Sequence, residues 1–290
     1  MKTSITSYSF QQYIREGKMT QLDTVKAAHE LGFEAMEFVD IDGKGDYALQ
    51  CENARKIKAE ADKYGIKIIA YAIGAQLYME DEAALRLEIE RVKGQIDIAN
   101  ILGCKTVRHD STFSYGKRPE GRTFDGMLPT IAKATREITE YAATKGIRTC
   151  TENHGFIAQD SDRVERLINA VNHENFGALI DMGNFLCADE NPVTAVSRLA
   201  GLAFHAHCKD IIVRSKPVEL GRNMLSRGGN TLILVAVGEG DVPVEQCLRI
   251  LKKANYDGYI TIEYEGERDC IEGIRTSKKN LDRYIAAVEG

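Results

Sequence analysis

The chain has no tryptophan, only 5 prolines and no run approaching the ~18 consecutive apolar residues that a membrane-spanning helix needs. Its start, MKTSITSYSFQQYIREG, carries Ser, Thr and Gln where a secretory signal would carry an apolar core. Basic blocks are missing too, and the net charge is -5. Nucleic-acid binding as the main task is thereby disfavoured, because phosphate neutralisation needs clustered Lys and Arg. A small anionic substrate needs only a local patch. The 7 cysteines, at positions 51, 104, 150, 187, 208, 247 and 270, are odd in number and contain no C-x-x-C pair. That pattern fits buried free thiols in a reducing cytoplasm, not a disulfide framework or a zinc knuckle. No linker, low-complexity tract or charge block interrupts residues 1–290, so one domain is expected.

What the chain does have is a repeated joint, in which a helix-like stretch ends in Gly and a short β-rich run follows. The joints are HELG-FEAMEF, DKYG-IKIIAY, NILG-CKTVRH, ATKG-IRTCTE, NHENFG-ALID, RLAG-LAFHAH and KKANYDG-YITIEY. Glycine at a helix C-terminus supplies a left-handed cap. With TSITSYSF as the opening strand, eight strands are predicted. Between them, Leu85–Leu102, Met127–Ala142 and Val244–Leu251 place apolar residues at helical spacing. Thr20, Ser161 and Pro243 mark helix starts before Gln21–Leu31, Asp162–Val171 and the helix carrying Cys247.

Eight strands alternating with helices predict a (β/α)8 barrel, a fold of about 250 residues. A doubly wound open sheet would want a glycine-rich phosphate loop after its first strand. The nearest match, Gly43–Ala48, follows the second strand and ends in Ala. In a barrel the loops after the strands build the active face. Long ones are predicted after strand 4 (His109 to Asp125) and after strand 7 (Lys209 to Pro243). The second is rich in Gly and carries Arg214, Lys216, Arg222 and Arg227.

Four consecutive strand-like runs end in groups able to bind a metal: TCTE at Glu152, ALID at Asp181, FHAH at His207 and ITIE at Glu263. A single such residue is more often a cap or a surface charge. Four in succession, each after an apolar run, would place charge at the edge of a buried sheet, which is costly unless paired or metal-bound. An oxygen-rich set with one imidazole suits Mn2+ first, with Mg2+ or Co2+ as alternatives, better than structural zinc. Such an ion would polarise the carbonyl of a hydroxy-ketone and stabilise the enediolate as the α-proton leaves. Glu152 and Glu263 could then remove and return that proton on two faces of a sugar.

The residues T-E-N-H around Glu152, I-D-M-G-N around Asp181, H-A-H-C-K-D around His207, G-E-G-D-V-P before the seventh helix and Y-D-G-Y-I-T-I-E ending at Glu263 carry a resemblance over nearly the whole chain. The chain resembles the xylose isomerase-like barrels of the sugar phosphate isomerase/epimerase family, which includes tagatose and psicose 3-epimerases, inosose dehydratases and hydroxypyruvate isomerases. The resemblance implies that Glu152, Asp181, His207 and Glu263 are the metal ligands and that Glu152 and Glu263 are the acid–base pair. It selects His207, immediately before C-K-D, over His205 on the same strand face. Glu265 is the fallback for Glu263. Many relatives have a His three residues after the sixth-strand Asp, where this chain has Asn184. His154, Asn184, Lys209, Arg214, His109 and Glu37 are the candidate substrate contacts, with Glu37 and His109 taken as strand ends.

The expected activity is a metal-dependent sugar isomerase or epimerase acting on a ketose, keto-sugar or sugar phosphate. The alternative is a dehydratase or lyase on a keto-inositol or 3-keto-glycoside. An endonuclease IV-like phosphodiesterase would need many more histidines than the 6 present. A non-catalytic sugar-binding barrel is a fourth reading. The expected partner is a small sugar, with neither nucleic acid nor membrane, and homo-oligomers are allowed.

Overall fold

A computed structural model describes residues 1–216, 218 and 223–290. The strands are β1 (Lys2–Thr6), β2 (Ala35–Val39), β3 (Lys67–Ile73), β4 (Thr106–His109), β5 (Arg148–Glu152), β6 (Phe176–Asp181), β7 (Ala203–Cys208), β8 (Asp210–Arg214), β9 (Asn223–Leu225), β10 (Thr231–Val235) and β11 (Tyr259–Ile262). Eight of them close into a parallel barrel in the order β1-β11-β7-β6-β5-β4-β3-β2. The (β/α)8 expectation is met. The longer helices, among them Tyr47–Tyr64, Glu82–Leu102, Phe124–Ala143 and Cys270–Glu289, pack side by side around it.

The joints are of two kinds. Gly32, Gly65, Gly103 and Gly146 have φ of 76°, 69°, 78° and 64°, so the first four work as left-handed caps. The last three do not. Asn172 (φ 46°) and Asn255 (φ 63°) make the left-handed turns near the helices Ser161–Val171 and Val244–Lys253. Asparagine tolerates that region because its short amide bonds to the local backbone. Gly177 instead lies inside β6, where a Cβ would stand 2.7 Å from the Leu202 carbonyl oxygen. The sixth joint turns through a 3-10 segment, Ala200–Leu202.

Some boundaries move. The first strand stops at Thr6, whose hydroxyl accepts from the Tyr8 N–H (3.3 Å) and opens a 3-10 turn at Ser7–Phe10. The helix expected from Gln21 starts at Asp23, because Thr20 and Asp23 bond to each other and hold the chain in a turn first. Asp160, not Ser161, caps the helix Ser161–Val171 by accepting from Arg163 N–H (3.1 Å).

The largest departure is the long segment after β7. It is not a loop: β8, β10 and β9 form an antiparallel sheet with its own small core of Cys187, Ile211, Leu232 and Leu234. The short apolar, β-branched runs in DIIVR and TLILV suit it. Arg222 lies outside the described residues. All 7 cysteines are buried and unpaired. Among the described residues, no helix is long and apolar enough to cross a membrane.

Candidate active site

The strand ends meet at one end of the barrel because neighbouring strands keep close register. Asp181 of β6 pairs directly with His207 of β7, and Glu152 of β5 pairs with Leu179 of β6. Glu263 follows β11 and extends its ladder by donating its N–H to the Cys208 carbonyl (3.2 Å). Asn153 locks two of these ends together. Its amide oxygen accepts from Asp181 N–H and its amide nitrogen donates to the Asp181 carbonyl, both at 2.9 Å. Gly183 makes room for the turn that follows, since a Cβ there would stand 2.6 Å from the Lys209 carbonyl oxygen.

Glu152, Asp181, His207 and Glu263 each offer a ligand atom, and these atoms all lie within 4.8 Å of one another. One Asp181 oxygen, Oδ1, is spent on the N–H groups of Gly183 (2.8 Å) and Asn184 (3.1 Å). The other, Oδ2, is buried without a hydrogen-bond partner, and so is His207 Nδ1. Buried polar atoms are normally satisfied. Burial pushes the Asp181 carboxyl up to about 6; Glu263 and Glu152 push the same way, while Lys209 opposes. Three carboxylates crowded beside a bare imidazole nitrogen are a donor set that a divalent cation would satisfy, and the residues present fit one.

The opposite nitrogen of His207 is held from below. Its Nε2 lies 3.0 Å from Glu37 Oε1 and 3.1 Å from Oε2. Glu37 also meets His205 Nε2 (3.2 Å), which touches Thr261 Oγ1 (3.0 Å), and Thr261 touches Ser4 Oγ (2.7 Å). A polar chain thus runs through the barrel interior to the base of the site. Burial alone would lower the His207 ring, but Glu37, Glu152 and Glu263 outweigh it and raise it to about 10. Burial keeps His205 low and neutral despite Glu37. Glu37, His205 and His207 form a second close group of donors. Their contacts are mostly with one another, and this trio lacks the bare Asp181 oxygen. Glu37, expected at a strand end as a substrate contact, instead sits in the middle of β2, bonds to two imidazoles and does not line the site cavity.

Two further residues escaped the sequence reading. Arg108 is buried, with Nη2 at 2.7 Å from Glu152 Oε2 and 2.9 Å from Asp110 Oδ1. Asp110 in turn lies 2.9 Å from Nδ1 of half-exposed His154. Burial lowers the His154 ring, yet Asp110 outweighs that and raises it. Burial pushes the Glu152 carboxyl up, but Arg108 and then His207 hold it below the usual range. Strand alternation was the available signal for Arg108: in TVRH, Arg and His must face opposite ways.

Those opposite faces settle His109. It stacks on Phe176 with ring centroids 6.0 Å apart and does not line the site cavity. Arg214 stands on the inserted sheet, half-exposed beside Asp241 (3.6 Å), also away from the cavity. The cavity itself, about 240 Å³, is bordered by Tyr8, Arg108, His154, His207, Lys209 and Glu263 among others. Lys209 lies 2.6 Å from Glu263, 2.7 Å from Glu265 and 3.7 Å from Asp181. Asn184 donates to Glu152 Oε1 (2.9 Å) and accepts from Lys209 Nζ (3.2 Å). Glu265 thus reaches Lys209, and Glu263 is the eighth-strand member of the cluster.

Comparison with known proteins places these features in context. Inosose dehydratase of Clostridium perfringens is 25% identical over 180 residues, 58% of this chain and 60% of that enzyme, so the match spans well under two thirds of the relative. The IOLI protein with a binding zinc atom superposes with a TM-score of 0.77 at 17% identity over 99% of each chain. D-psicose 3-epimerase, crystallised in the presence of D-fructose, superposes with a TM-score of 0.73 at 16% identity over 100% of each chain. At these identities the two structures speak for the fold. The family model described as xylose isomerase-like TIM barrel matches residues 25–286, and the chain belongs to that family.

Proposed function

We propose that this protein is a divalent-metal-dependent sugar isomerase or epimerase that moves a proton next to the carbonyl of a ketose, keto-sugar or sugar phosphate. The observation that carries the reading is the pair of bare buried atoms, Asp181 Oδ2 and His207 Nδ1, within a four-residue donor cluster. In this reading Glu152, Asp181, His207 and Glu263 hold the ion, with Mn2+ expected first. When bound, such an ion would acidify the carbon beside the carbonyl. Glu263, at the cavity wall beside Lys209, is placed to take or return a proton. Glu152 is the partner on the other strand, steadied by Arg108 and Asn184. Lys209 and Asn184 supply donors for substrate oxygens.

A second reading, a dehydratase, is favoured by the Asp110–His154 pair. An imidazole backed by a carboxylate can protonate a leaving hydroxyl. The C. perfringens relative, an inosose dehydratase, agrees with this reading.

Equilibrium dialysis against Mn2+, Mg2+, Co2+ and Zn2+ tests the shared premise. Wild type should retain one ion per chain and Asp181→Asn should lose it. Equal retention by both would remove the cluster as the site.

A further inference from the structure

The site cavity does not end at the metal cluster. A second cavity of about 360 Å³ adjoins it, and His154, Lys209 and Glu265 line both. Beyond those three, Gln159, Asn184 and Asn223 give one polar side, and Phe156, Cys187, Ile211, Met224 and Leu234 give an apolar one. Ile211 and Leu234 come from β8 and β10, so the inserted sheet builds the apolar side.

That wall is held in place by polar ties between the insertion and the barrel loops. Arg227 donates to Asp160 Oδ2 and to the Phe156 carbonyl, both at 2.8 Å. The Arg227 N–H donates to the Cys187 carbonyl (2.8 Å). Asp189 accepts from Ser226 Oγ (2.6 Å) and Asn230 Nδ2 (2.8 Å). The cavity is therefore a preformed space between two fixed walls.

Phe156 is the odd residue in it. Its φ is 65°, in the left-handed region that a bulky side chain avoids, and its ring is 40% exposed. Gln159 Oε1 takes its N–H at 2.7 Å while Arg227 takes its carbonyl, so the strained backbone is clamped on both sides. Strain of this sort persists where the surroundings over-determine it, and such positions cluster at ligand sites. A Gly or Asn would fit the turn without strain. A phenylalanine is what the strain keeps, and it lines the second cavity.

We infer that this second cavity is a subsite for an apolar, aryl-type group attached to the sugar, so that the substrate is a keto-glycoside or a similarly substituted keto-sugar. The inference rests on the proposed sugar chemistry at the metal cluster and adds the substrate's second half. The polar ring would lie among His154, Lys209 and Glu263. The aryl group would lie against Phe156, Met224 and Leu234, where offset or edge contacts between rings are favourable.

The test compares matched methyl and phenyl keto-glycosides of several hexoses, titrated calorimetrically into metal-loaded protein. The phenyl compound of at least one hexose should bind about tenfold tighter or more than its methyl partner, from the burial of one ring. Met224→Trp, which adds bulk to the cavity wall, should erase the difference. Phe156→Gly should reduce it while the melting temperature stays level or rises, because glycine relieves the left-handed strain. Equal binding of both glycosides, or a phenyl advantage that survives both variants, overturns the subsite. So does failure of every phenyl glycoside to bind. Solvent deuterium exchange across ketoses, keto-sugars, sugar phosphates and the same keto-glycosides keeps the two claims apart: exchange without a phenyl advantage removes the subsite alone, and no exchange on any of them removes the parent reading.

Discussion

Glu37 holds His207 by the nitrogen that faces away from the cluster, at 3.0 Å, and so leaves Nδ1 directed at Glu152 and Glu263, 3.9 and 4.0 Å away. A carboxylate in this position fixes both the ring orientation and the tautomer of an imidazole, the usual arrangement behind a metal-binding histidine. Glu37→Gln should therefore weaken metal binding by about 10- to 100-fold with the fold intact. Competition with a chelating dye measures the affinity and circular dichroism checks the fold. Unchanged affinity would mean that the ring needs no such support.

Arg108 neutralises Glu152 and Asp110 where all three side chains are buried at the cavity wall. Removing one partner of a buried pair costs about 3–5 kcal/mol, because the other is left charged and desolvated. Arg108→Leu should show a loss of that size in urea unfolding of metal-free protein. A loss under about 1 kcal/mol would indicate that the carboxylates find other partners or take up protons.

Gly183→Ala should disturb the turn that spends Asp181 Oδ1. A Cβ there would stand 2.6 Å from the Lys209 carbonyl oxygen and 3.1 Å from Lys209 Cβ. The overpacking should cost about 1–3 kcal/mol and lower metal affinity together. Loss of stability with full metal affinity would separate the turn from the cluster.

On the outer surface, Arg86 and Lys93 bond to Glu137 and hold its carboxyl down at about 2. The folded value lies below the ordinary one of 4.5. The stability it contributes is thus complete above that ordinary value and is lost as pH falls toward 2. Solvent screening limits the size to about 1 kcal/mol or less. Glu137→Gln should be the less stable protein at pH 7, with the gap closing between pH 4.5 and 2. A gap that stays constant over that range would rule out the charge as its source.

The barrel was legible because its grammar is local. Each helix, cap and strand follows from a dozen residues, and Glu152, Asp181, His207 and Glu263 announce themselves by ending apolar runs. Arg108 and Asp110 were not legible as partners of Glu152 and His154, because those contacts join β4 to β5 and are made only by closure of the sheet. His109 misled for a related reason: being last in a strand says nothing about facing inward. The inserted sheet was hidden by its glycines and charges, although DIIVR and TLILV are short β-branched apolar runs of the kind that form strands. The C-terminal turns at Asn172 and Asn255 show that a neighbouring glycine need not be the one that bends.

Proton traffic at the cluster separates the pair of glutamates from a passive cage. Glu152→Gln and Glu263→Gln keep shape and remove a proton acceptor. At saturating metal, each should lower turnover by about 10²- to 10⁴-fold while sugar binding persists in part. Normal turnover by both would dismiss the two-carboxylate account, and an effect confined to Glu263 would assign Glu152 to holding the ion alone.

The most direct measurement of the central claim is solvent deuterium incorporation, followed by NMR, across a panel of ketoses, keto-sugars and sugar phosphates in D2O. Metal-loaded wild type should place deuterium on a carbon next to the carbonyl of at least one of them, and protein stripped of metal, or Asp181→Asn, should not. Incorporation that is equally fast without metal, or none across the whole panel with metal bound, would contradict the account.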